Sequence, residues 1–106
     1  EGLDYVIPQI KTQNFRRLHL VLGFVKDKAV KKLLKKFPPS ALFYLAAPNI
    51  PRALPIKELE NFASELNLNF EIFSSVPKAL TNAKSMSDED DLIYIGGSTF
   101  VVAEIL

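Results

Sequence analysis

Three stretches of the chain carry residue types able to hold a ligand, and each follows an apolar run. The first is Gly96-Gly97-Ser98, directly after Leu92, Ile93, Tyr94 and Ile95. The chain has four glycines, and two of them stand here side by side. Glycine has no Cβ, so the backbone N–H groups of Gly96 and Gly97 can come close to a ligand. Amides at a strand-to-helix junction can also hold an anion. Ser98 can cap the following helix or bond a ligand, and the two roles are compatible. The alternative is a plain strand-to-helix turn. It is no phosphate-binding P-loop, because no Gly-Lys-Ser/Thr follows.

The second stretch is Asp27-Lys28, after the apolar run 17–24. Lys28 can reach a carboxylate or phosphate, and Asp27 can be a helix cap or a ligand contact. The alternative is a capping aspartate beside one lysine of a solvated basic face. The third is Arg52, in the proline-rich segment 48–55 after the apolar run 41–47. An arginine between Pro51 and Pro55 suits bidentate contact with a carboxylate, or is an exposed loop residue. His19, the one histidine, lies inside the first apolar run and reads as structural, with no partner nearby in sequence. The acids Asp88, Glu89, Asp90 and Asp91 precede the last apolar run and read as a solvated loop. Neither a nucleophile–base set nor metal-ligand spacing is visible.

The elements that must position these residues alternate in period. Apolar runs at 17–24, 41–47, 69–75 and 91–97 read as strands. Between them Val30, Leu33, Leu34 and Phe37 have helical spacing, with Asp27 as the expected cap and Pro38-Pro39 as the stop. Ile56, Leu59, Ala63 and Leu66 form a second stripe, with Pro55 expected at its first helical position and Asn67 and Asn69 as stop signals. Val76, Ala79, Leu80 and Ala83 form a third, and Val101, Val102 and Ile105 a last one capped by Ser98. Leu3, Val6, Ile7 and Ile10 have helical spacing too, but Pro8 predicts a kinked or short helix.

Strands separated by helices predict a parallel sheet, and near-continuous apolar strands predict helices on both faces. The expected fold is α/β, a Rossmann-like three-layer α/β/α sandwich with four strands in the order 3-2-1-4. In that order the connections reverse direction between the first and fourth strands, and a crevice opens at their carboxyl ends. The segments after the first strand and at Gly96-Gly97-Ser98 then face one crevice.

Composition sets the outer bounds. The 106 residues suffice for one domain and a single core, 1–106. A net charge of +1 gives no field for nucleic acid or a membrane surface, and the lysine run after Asp27 lacks interleaved aromatics. No apolar stretch reaches the ~20 residues of a membrane span, and no cysteine is present for disulfides or thiolate chemistry. Both facts suit a cytoplasmic protein. The start at Glu1-Gly2, without an initiator methionine, reads as an excised domain of something longer.

Four motifs occur in order: "LHLVLGFVKDK", "APNIPRA", "SSVPKAL" and "DLIYIGGSTFVVAEIL". Together they resemble the C-terminal domain of folylpolyglutamate synthase/dihydrofolate synthase, a Mur-ligase relative, over about residues 17–106. The resemblance implies a parent that is an ATP- and Mg²⁺-dependent amide ligase adding glutamate to dihydropteroate or folate. It implies that Ser98 contacts the incoming glutamate, with Lys28 and Arg52 near the same pocket. It also implies that ATP, Mg²⁺ and an aspartate–histidine motif belong mainly to a part before Glu1, so that this chain alone has no ligase activity. The sequence departs from the pattern at Ala29, where a second aspartate is usual, and at Thr99, where a large residue is usual. A strand belonging beside the fourth strand would be missing as well, which predicts association through the edge Leu92–Gly96. The rival expectation is a non-catalytic α/β module that binds a small anion or a protein.

Overall fold

The computed structural model describes residues 3–26 and 29–105. Its elements run α1 (Leu3–Thr12), β1 (Leu18–Leu22), α2 (Val30–Leu34), β2 (Leu42–Leu45), α3 (Ile56–Glu65), β3 (Asn69–Ile72), α4 (Val76–Met86), β4 (Leu92–Gly96) and α5 (Thr99–Ala103). The four strands make one parallel sheet in the order β3-β2-β1-β4, as the alternation of periods predicts. In register, Leu20 of β1 lies between Phe43 of β2 and Tyr94 of β4.

Strand side chains alternate between two faces, and both are covered. On one face Leu18, Leu20, Leu22, Phe43 and Leu45 pack with Ile7 and Ile10 of α1, Leu33 and Leu34 of α2, and Leu59 and Ala63 of α3. On the other, Val21 and Tyr44 pack with Val76, Ala79 and Ala83 of α4 and Val101 of α5. That is the three-layer sandwich, and all five residues of β1 are buried because β1 is central.

Local chemistry sets the helix ends. The Ser75 hydroxyl accepts from the Lys78 N–H at 3.2 Å and starts α4. Asn67, at φ 56°, ends α3, where the Leu68 N–H reaches the Ala63 carbonyl and the Asn67 N–H that of Ser64, each at 3.1 Å. These paired bonds on a left-handed residue close the helix.

Three expectations at element ends need correction. α2 begins at Val30 behind Ala29, which makes no side-chain cap bond, so the helix starts later than an Asp27 cap requires. Its last residues tighten into i→i−3 bonds from Lys36 and Phe37, because Pro38 disfavours helical geometry in the residue before it. Pro55 is not the first helical residue but the one before it, with ψ at 139°. Asn69 is no stop signal and opens β3. α1 runs unbroken through Pro8, which is exposed while Ile7 and Ile10 are buried.

Candidate site at the carboxyl ends of the strands

The carboxyl ends of β1, β2 and β4 are stitched together by backbone contacts. The Gly23 N–H reaches the Gly96 carbonyl at 3.4 Å, so β1 and β4 stay paired to their last residues. Beyond them, Val25 and Ala53 form an antiparallel bridge. The Lys26 N–H donates to the Arg52 carbonyl and the Leu54 N–H to that of Phe24, both at 2.8 Å. The Asn49 N–H donates to the Glu104 carboxylate and ties the segment after β2 to the end of α5.

The glycines have a packing role that the strand pattern alone does not reveal. A Cβ on Gly23 would lie 2.4 Å from the Ala46 carbonyl oxygen and 2.9 Å from a Val101 methyl. Gly97 adopts φ +91°, which L side chains rarely take, and its Cβ would lie 2.4 Å from the Gly23 carbonyl oxygen. Gly96 meets the hydroxyl end of the Tyr94 ring instead. Ser98 is extended, and its hydroxyl accepts from the Phe100 N–H at 3.2 Å to cap α5. That leaves the hydroxyl proton available as a donor.

Gly96, Gly97 and Ser98 therefore stand at the end of β4, on one side of β1. Arg52 stands on the other side, exposed, in the segment after β2 and beside Lys26 through the backbone. Asp27 and Lys28 lie outside the described residues. Among the described residues no group of three His, Cys, Asp or Glu side chains could hold a metal ion.

A second polar cluster lies at the opposite, amino end of the sheet. His19 is fully buried. Its Nε2 sits 2.7 Å from Asp91 Oδ2 and its Nδ1 2.8 Å from the Tyr44 hydroxyl. Arg16 Nε lies 3.2 Å from Asp91 Oδ1 and Arg17 Nε 3.5 Å from Oδ2. The Asp88 N–H donates to Oδ2 at 3.2 Å. The acids before β4 are thus not simply a solvated loop: the Asp91 side chain is inaccessible to solvent, while that of Asp88 is 69% exposed and pairs with Arg16. Burial pushes the Asp91 carboxyl up. The His19 hydrogen bond, the Asp88 amide, Arg16 and Arg17 together outweigh that and hold it at about 2. An ionised Asp91 accepts a hydrogen bond from the His19 Nε2–H, and Nδ1 then accepts one from the Tyr44 hydroxyl. Burial also raises the Tyr44 phenol. His19 is structural, as expected, with partners that come from two other parts of the chain.

The sequence carried a signal for this cluster. In the order 3-2-1-4, β1 and β4 are parallel neighbours, so the residues before each start at the same end. Arg16-Arg17 must therefore stand beside 88–91.

A parallel α/β sheet with helices on both faces and a reversal of strand order beside Gly23 and Gly96-Gly97 is a Rossmann-like fold. The family described as Mur ligase, glutamate ligase domain, matches residues 1–99, and the chain belongs to it. No curated protein sequence matches the chain. Among solved structures it is similar to Escherichia coli FolC in complex with DHPP and ADP, at 24% identity and a TM-score of 0.84 over 98% of this chain and 25% of that one. It is similar to Mycobacterium tuberculosis folylpolyglutamate synthase complexed with ADP and AMPPCP, at 23% identity and a TM-score of 0.87, over 98% and 26% of the two chains. A bifunctional folylpolyglutamate synthase/dihydrofolate synthase with Mn, AMPPNP and L-glutamate bound matches at 21% identity and a TM-score of 0.82, over 98% and 25%. The chain thus spans about a quarter of the length of these proteins.

Proposed function

We propose that this chain is the glutamate-positioning domain of an ATP-dependent ligase that joins L-glutamate to dihydropteroate or a folate in the cytoplasm. The observation that carries the reading is the family match over residues 1–99, on a fold whose reversal of strand order falls at Gly23 and Gly96-Gly97-Ser98. In such a reaction ATP phosphorylates the acceptor carboxylate. The glutamate amine then attacks the acyl phosphate, and ADP and phosphate leave.

ATP and Mg²⁺, which activate that carboxylate, fall to the part of the parent beyond this chain. What this chain contributes is orientation. The Ser98 hydroxyl, already accepting from Phe100, donates its own proton to a glutamate carboxylate. Arg52 supplies positive charge from the other side of β1, and Lys28 is the second cation that the resemblance assigns to the same glutamate. The tight packing of Gly23 against Gly97 fixes where Ser98 stands.

The test is steady-state kinetics of the full-length parent. Ser98→Ala is expected to raise the KM for glutamate about tenfold with kcat little changed, the signature of lost ground-state binding. An unchanged KM removes Ser98 from the site.

A further inference from the structure

Gly96 is crowded by a side chain of its own strand rather than by a backbone carbonyl. A Cβ there would lie 2.5 Å from the Tyr94 hydroxyl and 2.7 Å from Cζ of the same ring. Residues two apart on a strand share a face, so the Tyr94 ring lies over Gly96 and carries its hydroxyl to the carboxyl end of β4. The missing side chain at Gly96 makes the room for it. Phe37 backs the ring, with centroids 6.0 Å apart and planes at 41°. The ring packs against the layer of α1, α2 and α3. Ser98 caps α5, which lies in the other layer. Two hydroxyls thus stand beside Gly96-Gly97, one from each layer.

The Tyr94 ring is half-buried, and among the described residues its hydroxyl has no hydrogen-bond partner. Burial pushes the phenol up from its ordinary value, so it keeps its proton at neutral pH and offers a donor. A buried tyrosine hydroxyl ordinarily finds a partner. This one points instead to the end of the strand where the Gly96-Gly97-Ser98 turn begins.

Glutamate carries two carboxylates, and the Ser98 hydroxyl serves one of them in the reading above. We propose that the Tyr94 hydroxyl is a second hydrogen-bond donor at this turn, holding the carboxylate of the incoming amino acid that Ser98 does not. The choice of glutamate rests on the ligase reading, whereas the open donor beside Gly96 rests on the packing of the ring. An amino acid with a single carboxylate would satisfy only one of the two hydroxyls. Tyr94 therefore selects for an acidic side chain on the incoming substrate.

The experiment pairs thermal melts of this chain with steady-state kinetics of the full-length parent, using Tyr94→Phe, which removes the oxygen and keeps the ring. The Tm of the chain should be unchanged, because the oxygen bonds nothing among the described residues. In the parent the KM for L-glutamate should rise about tenfold with kcat and the KM for ATP unchanged, as for one lost hydrogen bond to a charged group. Ser98→Ala combined with Tyr94→Phe should raise it about a hundredfold, since contacts to two separate carboxylates are lost independently. An unchanged KM in Tyr94→Phe, a double variant no worse than Ser98→Ala, or a clear fall in Tm would each overturn Tyr94 as a ligand contact. The ligase reading fails differently. A parent that joins no glutamate loses that reading and, with it, the role of Tyr94, whereas a parent that joins glutamate and ignores Tyr94→Phe keeps the reading and loses only this contact.

Discussion

The carbonyl oxygen of Gly23 stands where a side chain on Gly97 would begin, 2.4 Å from the position of its Cβ. Two strand ends that are 74 positions apart in sequence are thereby locked backbone to backbone. Gly97→Ala has to relieve both that overlap and the strain of φ +91°, so it should cost at least ~2 kcal/mol. Gly96→Ala meets only the outer end of the Tyr94 ring and should cost less. Urea denaturation of the two variants checks the order, and a larger loss for Gly96→Ala would contradict the assignment.

Asp91 makes stability depend on acid. Its folded pKa, about 2, lies below the ordinary aspartate value of about 3.9. A depressed folded pKa gives stability that is present above the unfolded pKa and lost as pH falls through the folded one. The contribution should therefore be complete above about pH 5 and fade between about pH 4 and pH 2. The difference in Tm between the wild type and Asp91→Asn should narrow over that window. A constant difference from pH 6 to about pH 2 would show that the carboxylate charge is not what His19, Arg16 and Arg17 hold.

The sheet order and the layers were legible because period carries them. Alternating strand and helix stripes leave few parallel arrangements, and the buried run 18–22 marks β1 as interior. The Ser98 cap was legible because hydroxyl capping is a local event. Asp91 was not, since four acids in a row look solvated until β1 and β4 are set side by side and Arg16 and Arg17 arrive. The start of α2 at Val30 was missed for the opposite reason: an aspartate offers a good cap in sequence, but the helix begins behind Ala29, which has no side chain to cap with. At the candidate site the sequence marked the glycines as places for a ligand, and the structure adds a steric reason for Gly23 and Gly97 that needs none.

The close seat of α4 on the sheet depends on small side chains. Ala79 and Ala83 are fully buried between α4 and the face that carries Val21 and Tyr44. Ala79→Leu adds volume to a packed layer and should destabilise by about 1–3 kcal/mol. Lys78→Ala, on the exposed side of the same helix, should change little. Equal effects in thermal melts would mean that the helix can shift away from the sheet.

The two edges of the sheet differ in how they resist pairing. β3 presents exposed Asn69 and Glu71, polar residues of the kind that discourage a neighbour, with Ile72 as its one exposed apolar residue. β4 presents Leu92, Ile93, Tyr94 and Ile95, all only partly buried, and among the described residues it pairs on one side alone, with β1. An apolar edge with open backbone groups is a template for another strand. The chain should therefore self-associate through Leu92–Gly96 in a concentration-dependent way, as sedimentation velocity would show. Ile93→Lys should shift it to monomer while the circular dichroism spectrum is retained. A wild-type chain that stays monomeric at about millimolar concentration would show that half-burial of Ile93 and Ile95 against α4 and α5 is enough to protect this edge.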